Sequence, residues 1–335
     1  MDNFGISLKM SKIFIRYSPG FFSIFYELCK AMAYTGLVPK AWKIDIITFL
    51  FKKKGERINP KNWRPITIAP SLGKHFEKVL LYQLKRIKGI NPENHAYIED
   101  RSCLTAVLAL LEFFNTLKIK ETEARKDGYL LIPILMAEDV SSAFESIDHE
   151  SMGKIMELLF DESSELNMGS LIRSYLDRVA WILDRKSGEK VRLDRRYQHK
   201  TAPQGSSLSP YLWRFFDAIF TKMFKDGLTE LKNNAEVVDS FFHVAYADDH
   251  VTVVVLKVKK DSSSQLIGEV INLITTEIRN MLDLATKAAG CGINPDKSEL
   301  VMPQKYTYST NLAKDEFVWL GYSLKITNEC KLPFT

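Results

Sequence analysis

The sequence is poor in cysteine and has no long apolar run. Its four cysteines, Cys29, Cys103, Cys291 and Cys330, are widely scattered and none forms a CxxC pair. That spacing excludes the common zinc ribbons and gives no disulfide framework, so a reduced, intracellular protein is expected. No uninterrupted hydrophobic stretch approaches the ~20 residues of a membrane span, and the N-terminus lacks the charged-apolar-small layout of a secretory signal. Internal repeats, low-complexity tracts and flexible linkers are also missing. What remains is a chain of 335 residues, 46% hydrophobic and 26% charged. That composition suits one large globular domain, or two packed closely together, with a sizeable core and no membrane partner.

The net charge of +5 is unevenly spread. From Lys40 to Lys88 there are 13 lysines and arginines against three acids, Asp45, Glu56 and Glu77. Such a basic lobe suits a phosphate backbone, although basic runs also occur as plain solvated faces.

The stretch that organises the chain is His243-Val244-Ala245-Tyr246-Ala247-Asp248-Asp249-His250-Val251-Thr252-Val253-Val254-Val255. Apolar, β-branched sequence on both sides of two adjacent acids predicts a buried hairpin with carboxylates at its turn. Two Asp also occur at solvated turns. On a hydrophobic hairpin, however, their repulsion calls for a cation, and hard divalent ions take carboxylate oxygens together with substrate phosphates. A third acid, Asp139, ends the apolar run Tyr129–Met136 and is followed by Val140-Ser141-Ser142-Ala143-Phe144. Strands paired side by side would converge Asp139 with Asp248 and Asp249, which suits an in-line phosphoryl displacement assisted by two metals.

Around these acids the pattern alternates between helix and strand. Residues 1–36 read as helical with a break at Pro19-Gly20. Residues 42–51 and 63–68 read as a hairpin that places Lys52 and Arg64 on neighbouring strands, a clamp for a triphosphate, with Lys54 an alternative to Lys52. Residues 71–90 and 101–119 are amphipathic helices, and Asp148 is expected to cap a helix over 149–160. A helix and a hairpin turning at Lys186-Ser187-Gly188 are expected over 165–199. The loop Ala202–Pro210, with Gln204 between Pro203 and Gly205, leads into a helix over 211–225. A long helix over 262–289 ends at Gly290 and Gly292. Asn294–Lys297 turns into another strand, and the last hairpin centres on Phe317–Tyr322. Glu138 and Glu145 are expected beside the site or in solvent rather than on a metal.

Taken in order, these segments resemble a reverse transcriptase domain, most of all those of non-LTR retrotransposons. The resemblance rests on Val38–Lys43, Asn62–Ile66, Lys74–Glu77, Asp139–Phe144, Pro203–Ser206 with Leu208–Pro210, Tyr246–Asp249, Gly292–Asn294 with Lys297, and Trp319–Gly321. It implies an α+β right-hand polymerase fold in which an antiparallel palm sheet packs on helices. The implied segments are 1–130 for the N-terminal part of the fingers, 131–165 for the palm's first catalytic strand and helix, 166–200 for a fingers/palm insertion, and 201–335 for the palm with its primer-grip hairpin.

The resemblance further implies that Asp139, Asp248 and Asp249 hold two Mg²⁺, with Mn²⁺ as a substitute. It places Lys52 and Arg64 on the incoming nucleotide's phosphates, Phe144 under its sugar, where an aromatic plane excludes a 2′-hydroxyl, and Gln204 beside nucleotide and template. Lys297 would be a catalytic lysine near the phosphates, and Trp319, Leu320 and Gly321 would grip the primer. The partners so implied are an RNA template, a DNA primer and dNTPs.

Three departures stand out. Glu145 occupies a position where many relatives have Asp. Thr201-Ala202 stand where a Gly-containing pair is usual. The chain stops at Thr335, so a helical thumb is expected to be missing and a longer polyprotein is expected around it. A polymerase-fold protein that binds RNA as a scaffold without synthesis is the alternative, and a group II intron maturase or a telomerase is a further rival.

Overall fold

The computed structural model describes residues 2, 4–87, 89–141, 143–160, 166–183, 189–192, 200–294, 297–309 and 313–328. The helices are α1 (Leu8–Tyr17), α2 (Pro19–Thr35), α3 (Ser71–Leu84), α4 (Cys103–Lys126), α5 (His149–Leu159), α6 (Met168–Leu176), α7 (Ser209–Asn234) and α8 (Ser264–Ala288). The strands are β1 (Ile44–Phe51), β2 (Trp63–Ile68), β3 (Tyr129–Ser141), β4 (Val179–Leu183), β5 (Lys190–Arg192), β6 (Val238–Tyr246), β7 (Asp249–Lys259), β8 (Gly292–Ile293), β9 (Glu299–Val301), β10 (Ala313–Lys314), β11 (Glu316–Trp319) and β12 (Tyr322–Lys325). Among the described residues no helix is long and apolar enough to cross a membrane.

The chain divides into two compact units, 1–88 with 144–216 and 89–143 with 217–335. These boundaries cut across the four segments expected from the sequence. The clearest case is α4, whose Ala106, Val107, Leu110, Phe114 and Leu117 form one core with Leu131, Leu135, Val251 and Val253 of the second unit. Burying that apolar stripe decides where the helix belongs.

In the first unit the sheet order is β2-β1-β4-β5. The expected hairpin of β1 and β2 is present, pairing Leu50 with Arg64 and Phe51 with Trp63. β4 adds parallel to β1, with Asp45 opposite Ala180. A 3-10 turn, Lys40–Lys43, buries Trp42 between Phe25 and Phe76, at ring separations of 5.9 and 6.2 Å. Behind it, Arg178 is buried in an ion pair with Asp45 and donates from Nη2 to Trp42 O at 2.9 Å. Pro19 does more than break the N-terminal helix. It sits at the first helical position of α2, where its missing N–H costs nothing, and Ser18 caps that helix. Asp148 caps α5 as expected, accepting from Ser151 N at 2.8 Å. The turn expected at Lys186-Ser187-Gly188 lies outside the described residues.

In the second unit the sheet order is β10-β9-β3-β7-β6, with β8 on the end of β3. β3 and β7 pair antiparallel from Tyr129↔Lys259 to Asp139↔Asp249. One face of this ladder packs on α4 and on Phe317, Trp319 and Leu324 of the β11–β12 hairpin. The other face meets α7, whose Phe220 and Phe224 rings lie edge-on to His250 and His243 at 5.1 and 5.9 Å. α7 runs nine residues beyond the expected Lys225, to Asn234. Gly227 within it allows close packing, since a Cβ there would stand 3.2 Å from Met281 Sδ of α8.

Candidate active site

Cross-strand partners in a ladder share a face. Asp139 and Asp249 are such partners, at the ends of β3 and β7. Asp248 lies in the two-residue turn that joins β6 to β7, where Tyr246 pairs with Asp249. Val140 N donates to Asp248 O at 3.0 Å, tying the turn to β3. The ladder thus brings Asp139 and Asp249 face to face, with Asp248 in the turn beside them.

The carboxylates feel one another. Burial, then the neighbouring Asp248 and Asp139, push Asp249 up to about 6. Asp248 is also raised, by burial first and then by Asp139. Lys297 answers part of this charge, its Nζ lying 2.8 Å from both carboxylate oxygens of Asp139. Asn294 joins it, donating from its backbone N to Asp139 O at 2.9 Å and from Nδ2 to Asp139 Oδ2 at 3.3 Å.

Two of the three acids, Asp139 and Asp249, and Lys297 line a cavity of about 600 Å³ within the second unit. Asp139, Asp249 and Lys297 line it on one side, and Phe317, Val318 and Trp319 of the hairpin on the other. Leu320 and Gly321 form the hairpin's turn with φ of +51° and +84°, a left-handed pair that suits a two-residue connection. Trp319 is buried in the core beneath it.

The donor set fits a hard divalent cation: all-oxygen, surplus in negative charge and open on one side. Among the described residues no group of three or more His, Cys, Asp or Glu side chains is pre-arranged as a metal cage.

Glu138 points away from this face. It pairs with His250 across the ladder, is fully buried, and burial raises it to about 7. His250 is lowered by burial, but the Asp217 carboxylate and then Glu138 outweigh that and raise it.

The residues expected to meet the nucleotide lie in the first unit. Lys52 follows β1 directly; its N–H donates to Asn62 O and its Nζ to Lys61 O, both at 2.8 Å. Arg64 is exposed on β2. Phe144 is half-buried and accepts a hydrogen bond on its carbonyl from Ala202 N at 2.7 Å. Gln204 donates from Nε2 to Glu145 Oε1 at 2.7 Å, and its carbonyl accepts from Thr67 N at 2.6 Å. The loop of Gln204 is thus laced both to β2 and to the Phe144-Glu145 segment. Buried Glu77 holds the following residues, accepting from Ser207 N at 3.1 Å and from the Tyr175 hydroxyl at 2.9 Å. Thr201, one of the departures noted above, has φ +151°, a region that favours glycine.

Sequence reasoning missed Asn94 and Asp217, both fully buried behind the Asp248–Asp249 turn. The one available signal was Asp217 within the aromatic run Trp213–Phe220, where an acid without a partner would be costly.

Residues 51–324 match the family model described as reverse transcriptase (RNA-dependent DNA polymerase). The chain is 27% identical over 188 residues to the retrovirus-related Pol polyprotein from type-1 retrotransposable element R2 of Popillia japonica, covering 56% of this chain and 24% of that protein. It is 24% identical over 181 residues to the probable RNA-directed DNA polymerase from transposon X-element of Drosophila melanogaster, covering 52% and 18%. It therefore spans about a quarter or less of these relatives. Among solved structures it shares the fold of apo telomerase from Candida tropicalis truncated from its C-terminal domain, with TM-score 0.54, 11% identity, and 93% and 60% of the two chains covered. Telomerase from Candida albicans in complex with a fragment of telomeric RNA gives TM-score 0.51 at 14% identity, covering 93% and 49%. With most of its length matched by that model, on a right-hand polymerase fold, the chain belongs to the reverse transcriptase (RNA-dependent DNA polymerase) family.

Proposed function

We propose that this chain is the polymerase segment of a retrotransposon polyprotein and extends a DNA primer with dNTPs on an RNA template. The observation that carries the reading is the in-register pairing of Asp139 with Asp249, with Asp248 in the adjoining turn, on the face that opens on the hairpin cavity. Asp139, Asp248 and Asp249 are the residues that would hold two Mg²⁺. When bound, such ions lower the pKa of the primer's 3′-hydroxyl and meet the charge of the leaving pyrophosphate.

The remaining work falls to side chains. Lys297 keeps positive charge beside Asp139. The β11–β12 hairpin, ending in Trp319, Leu320 and Gly321, offers a wall along which a primer strand rests. Phe144 serves as the gate under the sugar, Gln204 contacts nucleotide and template, and the exposed Lys52 and Arg64 meet the triphosphate.

The test is primer extension on an RNA template with Mg²⁺, comparing wild type with Asp249→Ala. Loss of metal-assisted stabilisation costs about 10³-fold or more in rate. Equal rates in both proteins refute the assignment. RNA binding without synthesis by the wild type favours the scaffold alternative.

A further inference from the structure

The turn that carries Asp248 and Asp249 is held from behind by a side chain outside every motif named above. Asn94 is fully buried and belongs to the same unit as the turn. Its Oδ1 accepts from Ala247 N and from Ala96 N, each at 3.0 Å. Its Nδ2 donates to Ala247 O at 2.9 Å and to Asp217 Oδ2 at 2.7 Å. Both polar groups of Ala247, 153 positions further along the chain, therefore end on one amide. The flanking backbone is anchored too, since Ala245 N donates to Glu93 O at 3.0 Å and His95 N to Ala245 O at 2.8 Å.

This anchoring answers a specific need. Ala247 has φ +60°, a left-handed conformation that costs a non-glycine residue roughly 1–2 kcal/mol. A turn that pays this cost, with two mutually repelling carboxylates directly after it, requires outside support. Asp217 decides which way the support faces. An acceptor-only carboxylate 2.7 Å away orients the Asn94 amide with its nitrogen inward, leaving its oxygen for the Ala247 N–H. Asp217 is itself fixed by Asn91 Nδ2 at 2.5 Å and by the His250 ring at 3.2 Å.

We propose that Asn94, oriented by Asp217, is a positioning residue that fixes where the Asp248 and Asp249 carboxylates stand and so sets the site's affinity for a divalent cation. The proposal rests on the reading of these acids as cation ligands. A side chain that merely adds stability would lower the melting temperature when removed, yet leave cation affinity unchanged in the folded protein.

The experiment uses the full chain as wild type, Asn94→Ala, Asn94→Ser and Asp249→Ala. Far-UV circular dichroism establishes folding, electron paramagnetic resonance follows Mn²⁺ binding, and amide hydrogen exchange covers residues 244–250. Folded Asn94→Ala is expected to bind Mn²⁺ about tenfold or more weakly, as for other residues that orient metal ligands, and to exchange its Ala247 amide faster. Asn94→Ser keeps a hydroxyl but is too short to span both Ala247 groups and Asp217, and it adds no charge, so its affinity falls between the two. It carries the test if Asn94→Ala does not fold. Mn²⁺ affinity within about twofold of wild type in either folded variant overturns the proposal. Wild type that binds Mn²⁺ through Asp249 yet extends no primer refutes the polymerase reading and leaves this one standing. Wild type that binds no Mn²⁺ overturns both.

Discussion

Replacing Asp249 with asparagine should stabilise the metal-free protein while weakening the proposed cation site. Burial and two neighbouring carboxylates hold Asp249 at about 6, whereas an unfolded aspartate titrates near about 3.9. Because the folded value is the higher one, its contribution to stability is fully present below the unfolded value and is lost as pH rises through about 6. At neutral pH the ionised carboxylate therefore works against the fold. A difference of that size corresponds at full strength to about 3 kcal/mol, and screening through the open cavity reduces this to about 1–2 kcal/mol. Asparagine removes the charge and keeps the shape. Thermal unfolding in chelator should show Asp249→Asn melting roughly 2–4 °C above wild type near pH 8, with the gap closing toward about pH 4. Adding Mg²⁺ should then raise the wild type more than the variant. A variant less stable than wild type at pH 8 in chelator, or a gap independent of pH, would refute the claim that burial and the neighbouring carboxylates disfavour the ionised form of Asp249 in the fold.

Three further outcomes follow from geometry in the first unit. Asp45→Ala strands the buried Arg178 guanidinium, and denaturant unfolding should report a loss of about 3–5 kcal/mol; a loss below about 1 would mean that water reaches the charge. Thr201→Gly relieves a β-branched residue at φ +151° and should gain about 1 kcal/mol, whereas a loss would show that the loop depends on the threonine side chain. Phe144→Ala should admit ribonucleotides in competition assays of primer extension, and unchanged sugar selectivity would remove Phe144 from the gate.

Much of the site was legible because its signals are local. Asp248-Asp249 between β-branched runs predicts the hairpin, and Asp139 at the end of an apolar run predicts the partner strand, since alternation and turn chemistry operate within a few residues. The Leu50–Arg64 hairpin and the Asp148 cap were readable for the same reason. The parts that were not legible depend on distance in the chain. Nothing near Asn94 announces that its amide clamps a peptide 153 residues away. α4 reads as any amphipathic helix, and only packing shows that its stripe faces β3 rather than the N-terminal elements. The parallel pairing of β4 with β1 joins residues about 135 positions apart, and no local pattern encodes it.

The strand that carries Asp139 is hydrogen-bonded on both flanks, by β7 on one side and by β8 and β9 on the other. Deleting a single residue between Tyr129 and Glu138 would turn the strand over with respect to its neighbours, offering Glu138 to the cavity and driving Asp139 in among the rings of α7. Neither flank can slip alone to absorb the error. A change of length inside this strand is thus ruinous, because one acid's place in the alternation decides which side chains meet the cavity.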